Sequence, residues 1–143
     1  METNISGYEI KDLFPGQEFS FTKKISLSDV DMFAKLTGDN SPIHMESGFA
    51  RERGFKDRVV HGGLLVGCIS HLIGTRFPGK NSIIQTLEVK FFHPAYIGDA
   101  LKIHSIVDQI SESVATVILK LAITNMGTGQ VLLKSKVQVG FTK

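Results

Sequence analysis

The 143-residue sequence predicts an α+β fold, a curled antiparallel sheet of about five strands packed on one buried helix. Three observations carry this. The run from Leu64 to Phe77 is apolar around nearly its whole circumference. Four runs of period-two alternation follow it and one precedes it. The links between the later runs have turn chemistry, so strands that follow one another are antiparallel.

In chain order, residues 1–16 read as a loosely structured lead-in ending on the Pro15-Gly16 turn. Gln17 to Ile25 forms a first strand, with Phe19 and Phe21 on one side. Ser28 then opens a helix. Its hydroxyl caps the first turn, Asp31 completes a capping box, and Leu27 and Met32 fit a hydrophobic staple. Val30, Phe33, Ala34 and Thr37 make the inward stripe. Gly38 suits the left-handed conformation that ends a helix, so Asp39 leaves a helix C-terminus and enters the loop holding His44. Glu46 to Arg53 is a short helix closed by Gly54.

Past the charged link Lys56-Asp57-Arg58, the chain reaches His61-Gly62-Gly63 and the long apolar helix. A helix apolar all round is expected to be buried all round, with Gly67 and Gly74 letting another backbone come close. Pro78-Gly79 stops it. The strands after it place Leu87, Val89 and Phe91, then Leu101 and Ile103, then Val117, Leu119, Leu121 and Ile123, then Val131, Leu133, Val137, Val139 and Phe141 on one side. Ile97-Gly98-Asp99-Ala100 and Asn125 to Gly129 are the turns. A sheet that wraps the helix gives a single hotdog fold. Nothing in the pattern covers the sheet edges, so a second copy pairing edge to edge is expected.

Composition bounds the function. Residues 1–143 are expected to form one domain. The apolar fraction of 42% and charged fraction of 21% are ordinary for a soluble protein. A net charge of +2, with its lysines and arginines dispersed, argues against a nucleic-acid partner. Cys68 is the single cysteine and reads as a buried thiol. With no internal disulfide and no apolar leader between Met1 and Tyr8, a cytoplasmic location is expected. The most apolar stretch, Leu64 to Ile73, is far shorter than the ~20 residues of a membrane span, so no membrane is expected.

The chemistry concentrates in Gly38-Asp39-Asn40-Ser41-Pro42-Ile43-His44 and, downstream, in His61-Gly62-Gly63. Taken singly, Asp39 is a turn residue and His44 a surface histidine. Taken together, ahead of a helix start, they form a set that moves a proton beside a carbonyl. An imidazole takes or gives a proton near neutral pH. A carboxylate holds the same water in orientation. The Gly62 N–H, at a helix N-terminus, meets a growing oxyanion with partial positive charge. His61 reads as a structural hydrogen-bonding residue. Asp39, His44 and His61 are metal-ligand types, yet no His-x-x-x-His or Cys pair accompanies them, and neither a metal nor a redox cofactor is expected.

Asp39-Asn40-Ser41-Pro42-Ile43-His44, followed by Val60-His61-Gly62-Gly63-Leu64-Leu65, resembles the (R)-specific enoyl-CoA hydratases and MaoC-like dehydratases. Phe91-Phe92-His93-Pro94-Ala95-Tyr96-Ile97-Gly98-Asp99 is similar to that family's aromatic–Pro–Gly-Asp strand and turn. The resemblance implies a hotdog homodimer that reversibly adds water to a trans-2-enoyl thioester of CoA or acyl carrier protein, giving the (R)-3-hydroxyacyl product. It implies Asp39 and His44 as the catalytic pair and Gly62 as the donor to the thioester oxygen. It also implies Ser70 as a serine that some members place beside the catalytic groups. One departure stands out: Ser41 occupies the family's Asn position before the proline. A serine has less reach and one donor, which puts rate and substrate preference in question. Arg51, Arg53, Lys56, Arg58, Arg76 and Lys80 are cations open to the phosphates of a CoA or carrier arm. Two other functions suit the same fold: an acyl-thioester hydrolase, and a non-catalytic thioester-binding subunit, for which Ser41 is the motive.

Overall fold

The computed structural model describes residues 4–142. Five antiparallel strands form one sheet: β1 (Glu18–Lys24), β2 (Ser82–Phe91), β3 (Ala100–Ser111), β4 (Thr116–Asn125) and β5 (Val131–Phe141), in spatial order β1-β3-β4-β5-β2. Between β1 and β2 the chain forms α1 (Leu27–Thr37), α2 (Pro42–Met45), α3 (Ser47–Glu52) and α4 (Gly62–His71). The inner sheet face and α4 make one core. Leu101, Ile103, Leu119, Ile123, Leu133 and Val137 meet Leu65, Ile69, Leu72 and Ile73 in it, all buried. This is the predicted single hotdog architecture, and the inward sets read for β3 and β4 are the buried ones.

Several local expectations are corrected. The residue capping α1 is Ser26, not Ser28: its hydroxyl accepts the Asp29 N–H at 3.0 Å, and the Asp29 carboxylate accepts the Ser26 N–H at 2.9 Å. Both Ser-x-x-Asp spacings exist in the sequence. The one used brackets the helix start with Ile25 and Val30, both fully buried, whereas Leu27 and Met32 face solvent. Thr37 is exposed as well; its hydroxyl donates to the Phe33 carbonyl at 2.8 Å. The lead-in is fastened rather than loose: Ser6 N–H donates to Thr75 O and Tyr8 N–H to Pro78 O, and Leu13 is buried.

The long helix begins earlier than read, at Gly62, and after His71 it widens into a π turn, Leu72–Arg76. It is not buried all round. Gly63, Gly67, Ser70, His71 and Gly74 are exposed along one strip, and a Cβ at Gly67 or Gly74 would have no neighbour within 4 Å. No described backbone makes the close approach expected at these two glycines. The edge strand β2 is also open. Leu87 and Phe91 lie opposite Val137 and Leu133, as their inward reading requires, yet both are exposed because no strand stands beyond them.

Candidate active site

Local turn chemistry delivers the acid. Gly38 ends α1 in the left-handed region (φ 80°), and its N–H donates to Ala34 O at 2.8 Å. The Asp39 N–H donates to the Thr37 hydroxyl at 3.2 Å. One carboxylate oxygen, Oδ1, accepts the Ser41 N–H at 3.2 Å in an Asx turn. Ser41 therefore holds Asp39 through its main chain, and its hydroxyl makes no capping bond. Pro42 then starts α2, where the missing N–H of proline is no loss. This segment, read as loop, is a four-residue helix that turns His44 back toward Asp39.

The imidazole is fixed by Val59. His44 Nδ1 lies 2.6 Å from the Val59 carbonyl, which only accepts, so Nδ1 carries the proton. In neutral His44, Nε2 is then a bare acceptor, and it stands 3.9 Å from Asp39 Oδ2. That gap is too long for a direct hydrogen bond. It suits one water donating one O–H to each acceptor through bonds of ~2.8 Å. The His44 side chain is 16% exposed and that of Asp39 47%, so the pair lies at a wet margin.

His61 holds both groups. Its Nε2 donates to the Asp39 carbonyl at 2.9 Å, and its ring stacks on His44 at 4.1 Å and leans on Phe33 at 4.8 Å. The expected structural hydrogen bond is thus present, and its acceptor belongs to the site. Gly62 and Gly63 open α4, and among the described residues neither N–H has a backbone or side-chain acceptor. Each is glycine for a steric reason. A Cβ on Gly62 would stand 2.9 Å from Phe91 Cζ, and one on Gly63 would stand 2.8 Å from Phe33 Cζ.

An open groove of about 380 Å³ runs past these groups. His44 and Gly62 line it together with Phe55, Val59, Leu65 and Phe91, so imidazole, free N–H and apolar walls share one space. Asp39 does not line the groove and reaches the site from beside His44. Ser70 is not brought to the site. It is exposed, its hydroxyl makes no hydrogen bond among the described residues, and it lies eight residues past Gly62, ~12 Å along the helix axis.

Asp39, His44 and His61 each offer a ligand atom within 4.8 Å of the others. The two imidazole planes are stacked, only 28° apart, so their free lone pairs run side by side instead of converging on one ion. Three of the cations named from the sequence are engaged within the chain. Arg51 pairs with Asp57 at 3.2 Å, Arg58 pairs with Asp31 at 2.9 Å, and Arg53 stacks over Phe49. The sequence alone does not single out the contacts of Phe33 and Phe91 with the two glycines, nor the bonds of Arg58 to His44 and Asp31. Phe33 and Phe91 stand in ordinary periodic patterns, and only their approach to the two glycines marks them.

This arrangement has known counterparts. Residues 12–126 match the MaoC like domain family, and the chain belongs to that family. It is 41% identical over 91 residues to an (R)-specific enoyl-CoA hydratase of Rhodospirillum rubrum, covering 64% of this chain and 63% of the relative. It is 39% identical over 93 residues to a 3-hydroxybutyryl-CoA dehydratase of Methylorubrum extorquens, covering 65% and 59%. The matched segments thus span somewhat less than two thirds of these curated relatives. Among solved structures, an (R)-hydratase of A. caviae involved in PHA biosynthesis superposes with a TM-score of 0.86 at 29% identity, over 92% of this chain and 98% of that one.

Proposed function

We propose that this protein is a hydro-lyase that reversibly adds water to a trans-2-enoyl thioester, giving the (R)-3-hydroxyacyl thioester. The observation that carries the reading is the 3.9 Å gap between two hydrogen-bond acceptors, Asp39 Oδ2 and neutral His44 Nε2, beside the groove that His44 and Gly62 line. A water donating to both keeps a lone pair free for C3 of the enoyl group. As the O–C3 bond forms, the water proton passes to Nε2 and electron density moves through C2 to the thioester oxygen, where the Gly62 N–H holds it. The imidazolium then returns a proton to C2, the enolate collapses, and His44 is neutral again. Dehydration runs the same steps backward. One oxyanion donor of this kind contributes ~3–4 kcal/mol.

The named activities of the hydratase and dehydratase relatives support this reaction class. The substrate is an acyl group on CoA or on an acyl carrier protein, with its tail along Phe55, Val59, Leu65 and Phe91. The Ser41 departure leaves Asp39 anchored by a main-chain N–H, which weakens the motive for a non-catalytic subunit. We read residues 1–143 as one hotdog domain acting as a homodimer in the cytoplasm. The open β2 edge and the bare strip of α4 favour a second copy, and the buried free thiol of Cys68 suits a reducing compartment. Among the described residues no helix is long and apolar enough to cross a membrane.

The test is hydration of crotonyl-CoA, followed as loss of enoyl-thioester absorbance. Asp39→Asn and His44→Ala are each expected to slow it by ~10²-fold or more. Wild-type rates in both variants would remove the reading. Free thiol released from saturated acyl-CoA, with no hydration, would replace it with hydrolysis.

A further inference from the structure

We infer that Arg58 is a positioning residue for catalysis: its guanidinium ties the short helix bearing His44 to the helix that delivers Asp39, and so sets the gap that holds the water. The inference rests on the hydration reading of the site.

Helix α2 has four residues and cannot hold its own shape. The His44 carbonyl lies in its last turn, where helix carbonyls lack intrahelical partners. Arg58 supplies one: Nε donates to His44 O at 2.6 Å, a charge-assisted bond. A terminal nitrogen of the same guanidinium donates to Asp31 Oδ1 at 2.9 Å, on α1. It also lies 3.8 Å from Met45 Sδ. Asp31 is free for this bond because the capping box of α1 uses Asp29. One planar fork thus links α2, which bears His44, to α1, whose C-terminal turn leads into Asp39. The Arg58 side chain is only 14% exposed, so its bond to the His44 carbonyl is shielded, whereas Asp31 is 52% exposed and its bond is the more screened of the two.

The base of the fork is itself fixed. The Arg58 N–H donates to Asp57 Oδ1 at 2.7 Å, and that carboxylate also accepts from the Ser47 hydroxyl at 2.7 Å and from Arg51 at 3.2 Å. The next residue, Val59, grips α2 twice: its N–H donates to Ile43 O at 3.0 Å, and its carbonyl accepts His44 Nδ1–H. Residues 58 and 59 together fix the backbone and the ring of His44. Arg58 does not line the groove. Its effect therefore falls on kcat, not on substrate binding. Lysine keeps the charge but lacks the planar fork that meets both oxygens.

The test is steady-state kinetics with crotonyl-CoA, alongside the NMR signal of the His44 Nδ1 proton. A displacement near 1 Å lowers rate by ~10²-fold. Arg58→Ala is therefore expected to lower kcat ~30- to 100-fold with KM within ~2-fold, and Arg58→Lys to fall between. Asp31→Asn leaves Arg58 in place and is expected to lower kcat ~3- to 10-fold, which keeps the test open where Arg58→Ala fails to fold. In a His44→Ala background, Arg58→Ala is expected to add less than ~3-fold, because it acts through His44. The Nδ1 proton signal is expected to shift or broaden in Arg58→Ala and in Asp31→Asn. A loss confined to KM, an undiminished effect without His44, or an unmoved proton signal would each overturn the inference. Wild-type protein that hydrates no thioester defeats the hydration reading instead, and the proton signal still decides whether Arg58 sets the imidazole.

Discussion

The two halves of α4 use glycine for opposite reasons. At its start, Gly62 and Gly63 lie under the rings of Phe91 and Phe33, and an added methyl would meet a carbon closer than 3 Å. Farther along, Gly67 and, in the π turn beyond, Gly74 face open space. The first pair is explained within the chain: the rings that wall the groove and support His61 leave no room. The second pair has no neighbour among the described residues, and it is here that the proposed second copy would lie. The site end of α4 is packed by rings of its own chain, whereas the strip beyond it is bare among the described residues.

The sharpest way to break this contrast is at the crowded end. Gly62→Ala displaces Phe91 beside the proposed oxyanion donor, and hydration is expected to fall ~10- to 100-fold, up to the lower end of the loss of one such donor. Gly63→Ala displaces Phe33 and, through it, the ring of His61; a loss of ~10-fold is expected. Both are read by kcat with crotonyl-CoA, and unchanged rates would mean the rings yield freely.

At the open end the expected effect is on assembly. Gly67→Leu on a strip covered by a second copy obstructs the contact, and size-exclusion chromatography at micromolar concentration is expected to show a shift from dimer to monomer. On an uncovered strip the same change would leave the elution unaltered and raise helix stability by ~0.8–1 kcal/mol.

The smallest expected effect lies outside the contrast, at the cap of α1. Ser26→Ala is expected to cost ~1 kcal/mol of stability, read as a melting-temperature drop of a few degrees. The neighbouring Asp29 adds a pH signature. Burial pushes its carboxyl up, but the bonds from Ser26 and Lys23 outweigh this and hold it below the ordinary value of 3.8. A carboxyl lowered by folding stabilises the fold above that value and loses its contribution as pH falls through the folded pKa. The stability lost by Asp29→Asn should therefore shrink as pH falls below 3.8, and a pH-independent difference would contradict the assignment.

What could be read from the chain follows from how local each feature is. The juxtaposition of Asp39 with His44 and the helix start at Gly62 are legible because turn, proline and helix start lie within short spans. The period of the strands placed the core face of β3 and β4 correctly because alternation is a local property. The cap of α1 was misassigned by two residues because two Ser-x-x-Asp spacings differ only in which apolar pair is buried, and tertiary packing chose Ile25 and Val30. Arg58 was one cation among six because its two acceptors lie 14 and 27 residues away. Ser70 lies away from the groove, and this is not legible in the chain for a third reason. The apolar circumference of α4 hid the strip that the single chain leaves exposed.

The central claim is that one water, held by Asp39 and His44, supplies both the hydroxyl at C3 and, through Nε2, the proton at C2. Hydration of crotonyl-CoA in deuterium oxide, with the product read by proton NMR and chiral chromatography, tests it most directly. The expected product is a single (R)-3-hydroxy diastereomer carrying one deuterium at C2 on the same face as the new hydroxyl. Deuterium on the opposite face, or a mixture of both faces, would contradict delivery by a shared imidazole.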